Sequence, residues 1–377
     1  MPVKRFDAIV IGGGIGGASI GYFLAKNDLN VCVVELAKIA SGASGAAGAF
    51  LSPMMGKGSL VDFINEALAF SISFYEKIAP DLLVKNGALR FAKSGESIER
   101  FNDNIKLTKI EYERRGEAIF FPNAGAIDAV KLCERLFEKC VVFENAKADR
   151  LRYKNGEWHI GELSAQTLVV ATGAYPSLLP DWWLKTRGVW GERLRVKPVR
   201  PIAYNYMSDI AISASFANQT AAIGATHKRA AIDWQIDPSA IDELLKKAIK
   251  MLPEIKNAEF LDILGGMRPA SSDYIPIAGK FPNAHKILRD FPNLPNGERV
   301  AEDSFSYYPN LYYFGAHGAR GFVTAPYVAK IVAKTIANGE KDIENPFKPS
   351  RFILRTFRRD IKASSCDTLK QFSPLEY

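Results

Sequence analysis

The opening of the chain switches between two periodicities with a glycine cluster at the change. Asp7–Ile11 is a short apolar run of strand type, Gly12–Gly17 breaks it, and Ala18–Lys26 carries apolar positions at helical spacing. A second apolar run, Val31–Val34, ends at Glu35. Strand, turn, helix, strand and acid in that order predict a dinucleotide-binding βαβ unit. Within it Gly12 makes the tight turn, Gly14 admits backbone to a pyrophosphate, and Gly17 lets helix pack on strand. The helix start offers N–H groups to phosphate, and Glu35 is placed to accept from a ribose hydroxyl.

Further along, helical periodicity covers 60–78, 96–115 and 127–137, with strand-like runs at 88–92 and 141–143. Residues 149–153 and 157–160 flank Lys154-Asn155-Gly156 and predict a hairpin. An apolar strand from Thr167 ends in Ala171-Thr172-Gly173, a second small-residue turn able to meet the cofactor. Short β-like runs fill 196–233, a helix follows over 239–251, and 280–309 reads as irregular. A strand over 311–314, the run Gly315-Ala-His-Gly-Ala-Arg-Gly321 and a helix over 325–338 close the globular part. Nucleotide-type elements thus recur at the beginning, middle and end, with antiparallel material between them. The pattern predicts an α/β and α+β chain: a discontinuous Rossmann-type domain over 1–49, 120–180 and 262–345. An antiparallel-sheet substrate domain over 50–119 and 181–261 is inserted into it, and 346–377 is a basic tail.

Composition adds bounds. With 377 residues, 47% hydrophobic and 24% charged, the chain suits two soluble domains with real cores. Four cysteines show neither CxxC pairing nor metal spacing, so no metal is expected and a reducing, cytoplasmic setting is. Lys4 and Arg5 precede an apolar run as in a signal peptide, but Asp7 and the glycines break it, and the strand-turn-helix reading excludes export. No run reaches the length of a membrane span. The net charge of +8 is unevenly spread: 346–377 holds seven Lys/Arg against three acids. Lys185–Arg200 is a second basic stretch. Projected as a helix, the tail puts Arg351, Arg355, Arg358, Arg359 and Lys362 opposite Ile353, Leu354, Phe357 and Ile361, a basic face suited to RNA phosphates or an anionic membrane surface.

Taken together, the N-terminal unit with its Ala/Ser/Gly loop over 41–53, the mid-chain Val-Val-Ala-Thr-Gly-Ala, and the motifs Gly266–Gly279 and Gly315–Phe322 resemble the D-amino-acid oxidase and glycine oxidase superfamily of FAD-dependent oxidoreductases. The segment before Gly315, the run Gly315–Pro326 and the tail from Lys348 are most similar to the C-terminal oxidoreductase half of the tRNA 5-methylaminomethyl-2-thiouridine biosynthesis proteins. This resemblance implies FAD as cofactor, with Ser41, Ser44, Gly45, Gly48, Ala148, Ala171, Thr172, Gly173, Gly315, Gly318, Gly321 and Phe322 joining Gly12, Gly14, Gly17 and Glu35 around it. It implies that Arg268 clamps a substrate carboxylate, and that the C–N bond of 5-carboxymethylaminomethyl uridine at the tRNA wobble position is oxidised, releasing glyoxylate. His317 and Arg320 are candidates for contacting flavin or substrate and stabilising negative charge on the reduced ring. His227 and Lys228 are candidates for contacting the amine or accepting its proton. Two departures stand out: Ala43, Ala46 and Ala47 replace polar residues expected in the flavin loop, and only six residues precede the first strand. The second leads to the expectation of a one-activity protein, any methyltransferase being a separate partner. Alternatives from the same residues are a small-molecule oxidase of glycine, sarcosine or D-amino acids, and a peripheral, quinone-linked membrane dehydrogenase.

Overall fold

A computed structural model describes residues 3–175, 178–229, 235–339 and 346–358. The first sheet is built on five parallel strands in the spatial order Val141–Phe143, Val31–Val34, Lys4–Ile11, Leu163–Val170 and Tyr307–Gly315. The three central strands are apolar where they are covered on both faces, as parallel strands must be. Ile277–Pro282 adds antiparallel to Tyr307–Gly315, and the hairpin Arg152–Lys154 with Glu157–Ile160 adds at the other half of Leu163–Val170, giving eight strands.

Helices Ile15–Lys26, Ser59–Ile78 and Gly321–Asn338 pack on one face of this sheet. The last helix contains Pro326, whose missing N–H deprives the Phe322 carbonyl of its usual donor. The Tyr75 hydroxyl donates to that carbonyl at 2.8 Å, and Ser71 Oγ donates to the neighbouring Val323 carbonyl at 2.7 Å. A polar repair thus fixes the long helix against the one whose start faces the cofactor side. The opposite face is covered by Trp158, Trp183, Phe281, Ile287, Leu294 and Tyr308.

The second sheet has nine strands, with Thr186–Lys197 and Glu259–Ser271 paired along nearly their whole lengths. Glu259–Ser271 begins before, and carries the chain past, residue 262, the expected point of return, so it serves the antiparallel sheet before the chain rejoins the parallel one. Other elements also differ from expectation. The segment 280–309 holds a helix, Ala284–Asp290, and buries Phe281, Ile287, Leu294, Phe305 and Tyr308, so it is core cover rather than irregular chain. The helix expected over 96–115 stops at Lys106; Gly116, at φ +59°, then turns Glu113–Arg115 back on Ala118–Phe121 as a hairpin.

The tail departs from the helical projection. Its described helix is only Ile353–Thr356, and Ile353 and Phe357 are buried as the apolar side required. Arg351, however, turns inward: its Nε lies 2.9 Å from Asp273 Oδ2, and it donates to the carbonyls of Phe347, Lys348 and Ile275. It is therefore not part of an RNA-facing stripe. Arg355 and Arg358 are exposed, while Arg359 and Lys362 lie outside the described residues.

Candidate active site

Between the two sheets lies a cavity of about 790 Å³. The starts of two packed helices, Ile15–Lys26 and Gly321–Asn338, both open on it. Of the residues expected at the cofactor, Gly12, Gly14, Glu35, Ser41, Ser44 and Gly48 line it from the N-terminal unit. Ala148, Ala171, Thr172 and Gly173 do so from the middle of the chain, and Gly315, Gly318, Gly321 and Phe322 from its end. Gly17 and Gly45 do not line it. Gly17 is a packing residue: a Cβ there would sit 1.9 Å from the Gly12 carbonyl oxygen, and one at Gly45 would sit 2.3 Å from that of Ala40.

Local chemistry explains the cradle. Gly12 holds φ +112°, and a Cβ on it would lie 2.4 Å from the Ala171 oxygen, so the first turn and the Ala171-Thr172-Gly173 turn meet only because the first is glycine. Glu35 accepts from Gly13 N–H at 2.6 Å and from Ala37 N–H at 2.9 Å, fixing the second strand's end to the turn. Ser44 Oγ accepts from Ile15 N–H at 2.9 Å and caps the first helix. The alanines of the loop have a use. Ala43 Cα lies 2.6 Å from where a Gly266 Cβ would be, so loop and substrate-side strand touch through the smallest residues available. Arg193 then ties the loop down, donating to the Gly45 carbonyl at 3.0 Å and the Ala46 carbonyl at 3.2 Å. Burial pulls its pKa down to about 10, and it remains charged.

His317 lines the cavity, but as a neutral ring and not as a source of positive charge. Thr324 Oγ1 donates to the Arg320 carbonyl at 3.1 Å, so at the 2.9 Å contact between them His317 Nδ1 is the donor. Nε2 is then a bare lone pair, buried and without a partner among the described residues. Burial lowers the ring's pKa to about 3, so it is neutral and supplies no positive charge; Arg320, lowered to about 10 by burial and by the charge of Arg90, stays charged. A buried acceptor awaiting a donor, beside a glycine cradle that side chains would fill, fits bound FAD with its hydroxyl and N–H groups.

Arg268 comes from the substrate-side sheet and also lines the cavity. Its Nη2 donates to the Thr226 carbonyl at 2.8 Å, and Nη1 lies 3.3 Å from His227 Nδ1. Among the described residues no carboxylate pairs with it, and burial lowers its pKa. Gly191 makes room: a Cβ there would fall 1.6 Å from Arg268 Nη2. Thr226 is held in turn by the fully buried Glu192, to which its Oγ1 donates, while Glu192 N–H donates back to Oγ1 at 2.8 Å. Burial opposes ionisation of Glu192, but hydrogen bonds from Thr226 and Trp190 outweigh it and keep the carboxyl below its ordinary pKa.

Lys228 does not line the cavity. Its Nζ lies 2.6 Å from Asp237 Oδ2 and 3.5 Å from Glu192 Oε1, and the Asp237 hydrogen bond raises its pKa, so it holds its proton instead of accepting one. Arg90, Arg193, Thr226, Glu192 and Gly191 are site residues that sequence reasoning missed. For Arg90 the signal was a charge inside the apolar run 88–92; Arg193 gave none, because it shares a strand face with the exposed Arg195 and Lys197.

The family profile of FAD-dependent oxidoreductases, DAO, matches residues 7–335. The chain belongs to that family. It is a family of FAD-dependent oxidoreductases, and the chain is accordingly an FAD-dependent oxidoreductase. It is 23% identical to the tRNA 5-methylaminomethyl-2-thiouridine biosynthesis bifunctional protein MnmC of Legionella pneumophila, over 94% of this chain and 58% of that protein. The chain thus spans little more than half of that relative. It is also 23% identical to a glycine oxidase of Geobacillus kaustophilus, over 78% of this chain and 89% of the oxidase. The crystal structure of glycine oxidase from that organism superposes with a TM-score of 0.74 at 20% identity, covering 93% of this chain and 98% of the other. L-proline dehydrogenase from P. horikoshii gives 0.71 at 18% identity, with 93% and 98% covered. Among the described residues of this DAO protein no helix is long and apolar enough to cross a membrane.

Proposed function

We propose that this chain oxidises the C–N bond of a carboxymethylamino group, and that its substrate is the 5-carboxymethylaminomethyl uridine of the tRNA wobble position. The observation that carries the reading is Arg268: a charged guanidinium facing the cavity and held by a carbonyl and an imidazole, with no carboxylate among the described residues to neutralise it. A planar two-donor cation in that state is suited to a substrate carboxylate, gripped by charge-assisted hydrogen bonds and fixed in plane as well as position. The DAO membership supports the redox chemistry, and the similarity to MnmC along nearly the whole chain supports the substrate.

FAD, when bound, supplies the acceptor for the hydride that leaves the glycyl carbon. The residues of this chain orient that carbon. Thr226 and His227 aim the Arg268 fork, and Gly191 keeps its path clear. Loss of hydride from the free amine leaves an iminium between nitrogen and the former glycyl carbon; water adds to it with release of a proton, and the C–N bond breaks, giving glyoxylate and an aminomethyl group on the base. His227 Nδ1 faces Arg268 and Lys228 is ion-paired, so neither serves as the amine's base; the substrate reacts as the free amine.

The similarity to glycine oxidase covers most of both chains and favours a second reading, a free small amine such as glycine or sarcosine. The two are separated by mixing oxidised holoenzyme anaerobically with tRNA bearing the carboxymethylaminomethyl group, or with glycine and sarcosine, and following the visible absorbance of the oxidised flavin. Bleaching by the tRNA with release of glyoxylate supports the first reading. Bleaching by the small amines alone replaces it with the second.

A further inference from the structure

The substrate-side wall carries a second positive pole, away from the Thr226–His227 support of Arg268. Arg90 ends the strand Ala88–Arg90, lines the cavity and is half-buried, and that burial lowers its pKa. Among the described residues it has no hydrogen-bond or ion-pair partner; Glu96 acts on it only through space. Arg320 approaches from the cofactor side, spends one hydrogen bond on the Ser52 carbonyl at 3.2 Å, and feels the charge of Arg90. Asp209, a carboxylate on the same wall, is already engaged by the backbone and hydroxyl of Ser94. Two guanidinia that line one cavity and act on each other, neither paired with a carboxylate among the described residues, are unfavourable until an anion sits with them.

We infer that Arg90 and Arg320 form a second anion site, which takes an oxyanion of the substrate other than the carboxylate held by Arg268. The pyrophosphate of FAD is not that anion, because the Gly12–Gly14 turn at the first helix start would receive it. The substrate is then an amine with two acidic ends: a carboxylate next to the reacting carbon, and a phosphate ester or second carboxylate beyond the nitrogen. This rests on the reading of Arg268 given above. In a tRNA the second anion is a phosphodiester near the modified base; in a small amine it is another carboxylate.

The test uses the FAD-loaded full chain and reads ligand binding from perturbation of the flavin spectrum. Two pairs of probes are compared: 5-carboxymethylaminomethyl uridine against its 3′- and 5′-monophosphates, and sarcosine against iminodiacetate. In one pair the two-anion member should bind at least tenfold tighter than its one-anion partner. Arg90→Met should bring that ratio close to one, and Arg90→Lys should restore part of it. The pair that shows the ratio identifies the source of the anion. Equal binding within both pairs, a ratio that survives Arg90→Met, or loss of FAD from that variant overturns the inference. Arg268→Lys tests the underlying reading separately: if the one-anion ligands bind that variant undiminished, the carboxylate assignment fails, whatever Arg90 does.

Discussion

Arg268 and Gly191 sit diagonally on paired strands, and the guanidinium occupies the space that any side chain at 191 would need. Gly191→Ala should therefore disturb the clamp without touching the cofactor cradle. It and Arg268→Lys are expected to slow anaerobic flavin reduction by about a hundredfold, the scale of one charge-assisted hydrogen bond, while both retain FAD. Equal loss of reduction and of bound flavin would recast Arg268 as structural. His317 makes a prediction about pH. Its folded pKa of about 3 lies below the ordinary 6.5, so the unfolded chain takes up the proton first on acidification. Its contribution is fully present above pH 6.5 and is lost as pH falls toward 3, at up to about 1.4 kcal/mol per pH unit. The melting temperature of apoprotein should fall less steeply below pH 6.5 in His317→Asn than in the parent. Parallel pH profiles would show that this ring is not the responsible group.

At the scale of elements, the contact between Ser59–Ile78 and Gly321–Asn338 turns on one hydroxyl. Tyr75→Phe keeps the ring but leaves the Phe322 carbonyl, freed by Pro326, without its donor in a fully buried place. A loss of about 1–3 kcal/mol is expected by denaturant titration, and FAD should be held more weakly because Phe322 opens the helix at the cavity. A variant as stable as the parent would show that water reaches this carbonyl. Elements with strong period were legible in the sequence: Val31–Val34, Val141–Phe143 and Ser239–Met251 fall where their patterns put them. Gly12, Glu35 and Arg268 were legible because their motifs carry order as well as composition. Thr226 was not, because its role arises from contacts with Glu192, on a strand far off in the chain. The sequence pattern of the tail showed which side was apolar, but a periodicity has no knowledge of Asp273, the partner that drew Arg351 inward.

For the whole molecule, the docked part of the tail and the part beyond Arg358 are separate questions. Phe347, Phe352, Ile353 and Phe357 are buried, and Ala278 N–H donates to the Phe347 carbonyl at 2.8 Å, so removal of 346–377 would strip the core. Removal of 359–377 alone keeps these contacts. If tRNA is the substrate, that shorter truncation should weaken tRNA binding several-fold and flatten its dependence on salt, while leaving turnover of small amines alone. Unchanged tRNA affinity would move the RNA contact to the exposed Lys197 and Arg200.

The hold of Arg193 on the Gly45 and Ala46 carbonyls reaches further than the loop it steadies. A strand that forms the reaction chamber is also the latch on the coenzyme's berth, so ejecting the coenzyme should slacken the chamber wall, and filling the chamber should slow the coenzyme's escape. Such an enzyme would guard its flavin best while it is at work.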